Sequence, residues 1–230
     1  PSIRMLEAQR GGGDLLSPLH SYAAELASSL MQYEHSAAIG EVEHALTRFQ
    51  KLILDAIDEN RLVGISAPTS AGKSFALYLA IVRHALRDGG PVLYIVPTIS
   101  LINQVSADLR NLLDAHGLEH WSVRTGLQAI TEKCIYVLTQ ERALPGVDDG
   151  GPVHEIGFLV VDEVQNLERV QDDGDLRAKV LFDALRELRR LSPRARIVLS
   201  GPRINNVGAL GQQVFGVQGT EVATGQSPVA

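Results

Sequence analysis

The sequence predicts an α/β fold: a doubly wound parallel sheet preceded by an N-terminal helical extension. Three observations carry this. Short, unbroken apolar runs recur along the chain, at Leu62–Ser66, Val92–Val96, Cys134–Leu138, Phe158–Val161 and Arg196–Ser200. Amphipathic helical segments alternate with them. The first run passes directly into the turn "APTSAGKS". Continuous hydrophobicity over about five residues suits strands covered on both faces. Alternation of strand and helix with right-handed crossovers then gives a parallel sheet.

The elements follow in order. Ser17-Pro18 is a helix start, with Ser as cap and Pro in the first turn. Leu19, Tyr22, Leu26, Leu30 and Tyr33 continue at helical spacing until Gly40 interrupts it. A second helix is expected through Val42, Leu46, Phe49, Ile53 and Ile57. Helices near Lys73–Arg87, Leu101–Asp114 and Leu176–Leu191 alternate with the strands, and "WSVRT" at Trp121 and "TEVA" at Thr220 are shorter strand candidates. Residues 1–40 are thus expected as a helical extension, 41–223 as one lobe, and 224–230 as the start of a linker.

Composition bounds the class. With 230 residues, 45% of them hydrophobic, the chain can bury a full core without disulfide or metal support. A single cysteine excludes an internal disulfide and points to a reducing, cytoplasmic setting. No apolar run is long enough to span a bilayer, so no membrane partner is expected. The net charge of −6 argues against a general polyanion coat but leaves a local cleft open. His116 and His120 lack a completing ligand set and read as loop residues, while Cys134 in an apolar run reads as a small core residue. "QDDGD" at Gln171 does not complete a calcium loop, and "RELRRL" at Arg186 reads as a solvated helix face.

The turn after the first strand has the parts of a phosphate-binding loop. A strand feeds it, backbone N–H groups can converge within it, and a helix N-terminus follows. Ala67, Pro68, Thr69, Ser70, Ala71 and Gly72 would form the cradle. Lys73 would reach the β- and γ-phosphates and Ser74 would ligate Mg²⁺. Ala67 stands where such loops commonly carry Gly. "GFLVVDEVQ" supplies a partner, an apolar strand ending in Asp162, a candidate Mg²⁺ ligand, and Glu163, a candidate base for an attacking water.

These residues resemble the first RecA-like lobe of the superfamily 2 helicases of the DEAD/DEAH-box kind, and "APTSAGK" is nearest the Ski2-like branch. Further stretches resemble that family's motifs in its order: "RFQ" ending at Gln50, "VPTISLINQ" from Val96, "RTG" with Thr125 and Gly126, "TQER" from Thr139, and "LSGPRIN" from Leu199. The resemblance runs from about Phe49 to the C-terminus. It implies a P-loop ATP hydrolase with ATP and Mg²⁺ as cofactors and Lys73, Asp162 and Glu163 as catalytic residues. Gln50 would read adenine. Pro97, Thr98, Thr125, Gly126, Thr139 and Arg142 would hold the backbone of a DNA or RNA strand, and Gln165, Ser200 and Gly201 would couple nucleotide state to strand movement. It further implies a helicase or translocase whose second RecA-like lobe lies in the same full-length chain, with other subunits as further candidate partners. Gly201-Pro202 replaces the family's Ala-Thr, which keeps a nucleotide-gated clamp without unwinding as an alternative. Gln140 replaces a Pro, and Gln165 stands where many relatives have His.

Overall fold

The computed structural model describes residues 35–87, 89–126, 133–147, 155–164, 176–202 and 207–224. The first expected helix, Leu19 to Tyr33, lies outside them. The described chain opens with a two-stranded antiparallel hairpin, β1 (His35–Ile39) and β2 (Val42–Leu46). Val42–Leu46 is therefore a strand, where the spacing predicts helix. Val42 and Leu46 are four apart, a separation that keeps two residues on one face in either structure. Gly40, at φ 61°, makes the turn between the strands.

The helix begins instead at α1 (Arg48–Glu59), because Thr47 caps it. Gln50 N donates to Thr47 Oγ1 at 3.2 Å, and Thr47 N donates back to Gln50 Oε1 at 2.9 Å. This is a reciprocal capping box. Then come β3 (Leu62–Ser66), α2 (Lys73–Leu86), β4 (Val92–Val96), α3 (Ile99–Ala115), β5 (Ser122–Arg124), β6 (Cys134–Thr139), α4 (Gln140–Val147), β7 (Phe158–Asp162), α5 (Leu176–Leu191), β8 (Arg196–Gly201), α6 (Val207–Phe215) and β9 (Thr220–Ala223). All seven expected strands form one sheet of order β5-β6-β4-β7-β8-β3-β9, parallel at every pairing.

Side-chain alternation divides the core into two layers. Val92, Tyr94, Val96, Val160 and Val198 face α1, α2 and α3. Leu93, Ile95, Leu159, Val161 and Leu199 face α5 and the second layer. Two helices that the sequence reading passes over, α4 and α6, complete that layer. Among the described residues no helix is long and apolar enough to cross a membrane.

Candidate nucleotide site and strand-binding face

The loop between β3 and α2 closes through a short 3₁₀ turn, Thr69–Ala71, into Gly72 at φ 72°. That left-handed residue is the N-cap of α2. A Cβ there would lie 2.5 Å from Gln50 Nε2. Gln50 can step aside only by giving up its own hydrogen bonds, because Nε2 donates to Gly72 O at 3.2 Å while Oε1 holds the Thr47 cap. Gly72→Ala is accordingly expected to destabilise the fold by about 1–3 kcal/mol, since left-handed strain and a displaced carboxamide add. The midpoint of urea unfolding would report it; an unchanged midpoint would show that the loop relaxes freely. Gln50, expected from the resemblance to read adenine, is buried and ties α1 to the loop. One N–H and one lone pair of its carboxamide remain for a ligand.

Lys73 is buried at the head of α2. Its ammonium donates to Ala67 O and, at 3.0 Å, to Pro68 O. Burial lowers its pKa, opposed by the charges of Asp162 and Glu163. One cation thus faces the loop on one side and two acids on the other. Ser74, next in the helix, is exposed.

Asp162 ends β7 and lies opposite Ser200 in the register, while Gly201 lies opposite Ser66. Strand β8 therefore separates the acid from the loop's own strand, a span of about 10 Å at two strand spacings. Gly201 O accepts the Ala67 N–H at 3.3 Å and joins β8 to the loop. Burial raises the Asp162 pKa. The Glu163 N–H, the nearby Ser200 hydroxyl and Lys73 oppose that rise, and the Glu163 charge adds to it. The buried Ser200 hydroxyl lies near enough to favour the ionised acid but completes no well-formed hydrogen bond.

Glu163 has φ 55°, the one left-handed non-glycine residue among those described. Its N–H donates to Asp162 Oδ1 at 3.0 Å. A side chain held in this region costs of order 1 kcal/mol or more, and such residues cluster at functional sites. Asp162 and Ser74 offer the hard oxygen donors that Mg²⁺ selects. A desolvated carboxylate with a raised pKa also suits a cation, so the residues present fit that metal. Gln165 lies outside the described residues.

The expected strand-binding residues gather at the ends of three adjacent strands, β5, β6 and β4. Thr98 is exposed and caps α3, its Oγ1 accepting Leu101 N at 3.4 Å. Pro97, Thr125 and Gly126 are half-buried. Arg142, exposed in the first turn of α4, donates to Thr125 O at 3.3 Å and joins two of the motifs. Thr139 is buried, at 5% exposure, so little of it reaches the open surface. Sequence reasoning passes over Thr47, whose T-x-x-Q spacing signals a capping box. His116, expected as a loop residue, lies in the turn after α3, and its Nε2 is 3.0 Å from His44 Nε2, while His44 meets Phe75 of α2 edge-on at 5.9 Å. Among the described residues no three metal-ligating side chains converge.

The model of the DEAD/DEAH box helicase family matches residues 47–201. Anti-bacteriophage protein B of Escherichia coli (strain K12) is 30% identical over 200 residues, which cover 83% of this chain and 25% of that protein. The human probable ATP-dependent RNA helicase DDX60-like is 42% identical over 65 residues, 27% of this chain and 4% of that protein. The chain therefore spans a quarter or less of the length of these relatives. Among solved structures, the DUF1998 helicase MrfA bound to DNA superposes with a TM-score of 0.60 at 19% identity, covering 81% of this chain and 28% of MrfA. The Pyrococcus furiosus Hef helicase domain gives 0.58 at 19% identity over 79% of this chain and 38% of its own. The seven-stranded parallel sheet agrees with these folds, and the family match spans the loop, the Asp-Glu pair and the end of β8: the chain belongs to the DEAD/DEAH box helicase family.

Proposed function

We propose that the chain is the first motor lobe of an ATP-dependent helicase or translocase, binding and hydrolysing ATP while it holds a nucleic-acid strand by its backbone. The observation that carries this is Lys73, buried between the loop carbonyls of Ala67 and Pro68 and within reach of the charges of Asp162 and Glu163. Phosphate oxygens would take the ammonium from those carbonyls, and the N–H groups at the start of α2 would face the same anion. Mg²⁺, held by Ser74 and Asp162, would supply further positive charge against the phosphates. Glu163 would accept a proton from the attacking water. Ser200 and Gly201, on the strand between the acid and the loop, would relay a change at the nucleotide. Gln165 belongs to the same coupling set.

Pro97, Thr98, Thr125, Gly126 and Arg142 would contact phosphates and sugars without reading bases, and Thr139 would support them from beneath. MrfA was solved on DNA and also with AMPPNP, and the human relative is named as an RNA helicase, so both strand types are candidates. The proposed lobe runs over 41–223, with a second RecA-like lobe in the full-length protein. The Ski2-like placement rests on the loop sequence beginning at Ala67. The clamp reading is favoured by one feature, Gly201-Pro202 in place of Ala-Thr, although Gly201 O keeps the link to the loop.

Lys73→Ala is the direct test. Losing charge-assisted hydrogen bonds to phosphate is expected to weaken ATP binding by about 10–100-fold. Titration with a fluorescent ATP analogue measures it, and unchanged affinity would remove the nucleotide-site assignment.

A further inference from the structure

The strand-binding face described above stops at the rim formed by the C-terminal ends of β5, β6 and β4, yet positive charge continues below it. Strand β5 is an edge strand, and arginines approach it from both of its faces. From the α3 side, Arg110 Nη2 donates to Val123 O at 3.1 Å. From the α4 side, Arg142 Nη1 donates to Thr125 O at 3.3 Å. Between them Arg124 Nε donates to Ser122 Oγ at 3.3 Å. Arg110 and Arg142 are both exposed. Each spends an N–H on a backbone carbonyl, which fixes the side chain without neutralising it. Neither has an ion pair among the described residues.

The register sets the height of this series. Val123 lies opposite Ile135, four residues before β6 ends at Thr139. On β5 itself Val123 stands two residues before Thr125, so at about 3.3 Å per residue Arg110 meets the edge about 7 Å below the Arg142 contact. The cations therefore descend the β5 edge from Arg142 to Arg110, in a chain whose net charge is −6. Asp114, one turn beyond Arg110 on α3, bounds the series below. An edge strand flanked by anchored guanidiniums, continuous with a face proposed for a phosphate backbone, suits more of the same polyanion.

We propose that the bound nucleic acid does not end at the rim but continues down the β5 edge, with Arg110 contacting a backbone phosphate outside the motifs shared with the family. This rests on the strand-binding reading above and extends it by a residue that no motif contains. Arg110 acts there as a charge, so it strengthens binding without selecting sequence.

The test is the salt dependence of binding, measured by fluorescence anisotropy of the 230-residue chain with a labelled mixed-sequence single strand, DNA and RNA in turn. Between about 50 and 200 mM salt, each lost phosphate contact flattens the slope of log K against log salt by about 0.7. Arg110→Gln is expected to show that loss, with affinity about two- to fivefold weaker for every sequence tried. Arg110→Lys is expected to restore the slope, because a point charge suffices for phosphate. Arg110→Glu is expected to deepen the loss. An Arg110→Gln slope equal to that of the unaltered chain, while Arg142→Gln flattens it, overturns the extended path and leaves the rim reading standing. No binding of either strand by the unaltered chain overturns both.

Discussion

Glu163→Gln is expected to lower nucleic-acid-stimulated ATP turnover in the full-length protein by about 10²–10⁴-fold, the usual contribution of a positioned general base. The substitution preserves the volume and one carbonyl oxygen but removes the basicity. Binding should survive it for a specific electrostatic reason. The Glu163 charge helps to raise the pKa of Asp162, so its removal leaves that carboxylate easier to ionise and no poorer as a metal ligand. The Glu163 N–H that bonds Asp162 Oδ1 belongs to the backbone and is retained. Single-turnover phosphate release and nucleotide titration on the same preparation separate the two effects. Turnover within a few-fold of the unaltered protein would show that the water finds its base elsewhere.

The parallel sheet was legible because its central strands are covered on both sides. Val92–Val96 is buried at every position, and a five-residue apolar run bounded by turn residues leaves few alternatives to a central strand. The N-terminal hairpin was not, since Val42 and Leu46 satisfy helical and extended periods alike, and only the Thr47 cap marks where the helix starts. Helix α4 was hidden by Pro145, which breaks helical propensity within an eight-residue element. Gly208 and Gly211 hid α6 in the same way. Gly211 is there for packing, since a Cβ would meet the Leu62 side chain at 2.9 Å.

The candidate site was legible where chemistry fixes spacing and obscure where tertiary contact decides. Gly72-Lys73-Ser74 must be contiguous, because a left-handed turn, a phosphate-reaching cation and a metal-ligating hydroxyl sit at one helix start. The tie from Gln50 to Gly72 spans 22 residues, and that from Arg110 to Val123 spans 13. Neither carries a local pattern. The burial of Thr139 could not be read either, because the residue both ends a strand and precedes a helix that Pro145 conceals.

Joining this lobe to a downstream RecA-like lobe in one chain is expected to raise nucleic-acid-stimulated turnover by about 10³–10⁵-fold over the 230-residue chain alone. The reason lies in the charge around the site. Hydrolysis spreads negative charge over the γ-phosphate oxygens, and a guanidinium placed there is worth that factor. Among the described residues, Lys73 is the one cation whose charge is felt at Asp162, and it stands opposite two carboxylates. Mg²⁺ would offset part of that excess, yet no described arginine shares the site with Lys73. No described arginine is among the charges that bear on Lys73 or Asp162. The missing charge is thus expected from outside this lobe, and the chain covers only 25–28% of its relatives in E. coli and in the MrfA structure. Phosphate release by both forms, with and without single-stranded DNA and RNA, measures the difference. In the two-lobe form, replacing the contributed arginine by Ala should return turnover to the single-lobe level, because affinity for ATP is set largely by Lys73 and the loop while the rate is set by charge at the γ-phosphate. Rapid, strand-stimulated hydrolysis by the single lobe would mean that the transition-state charge is met within these 230 residues, and the division of labour between two lobes would fall.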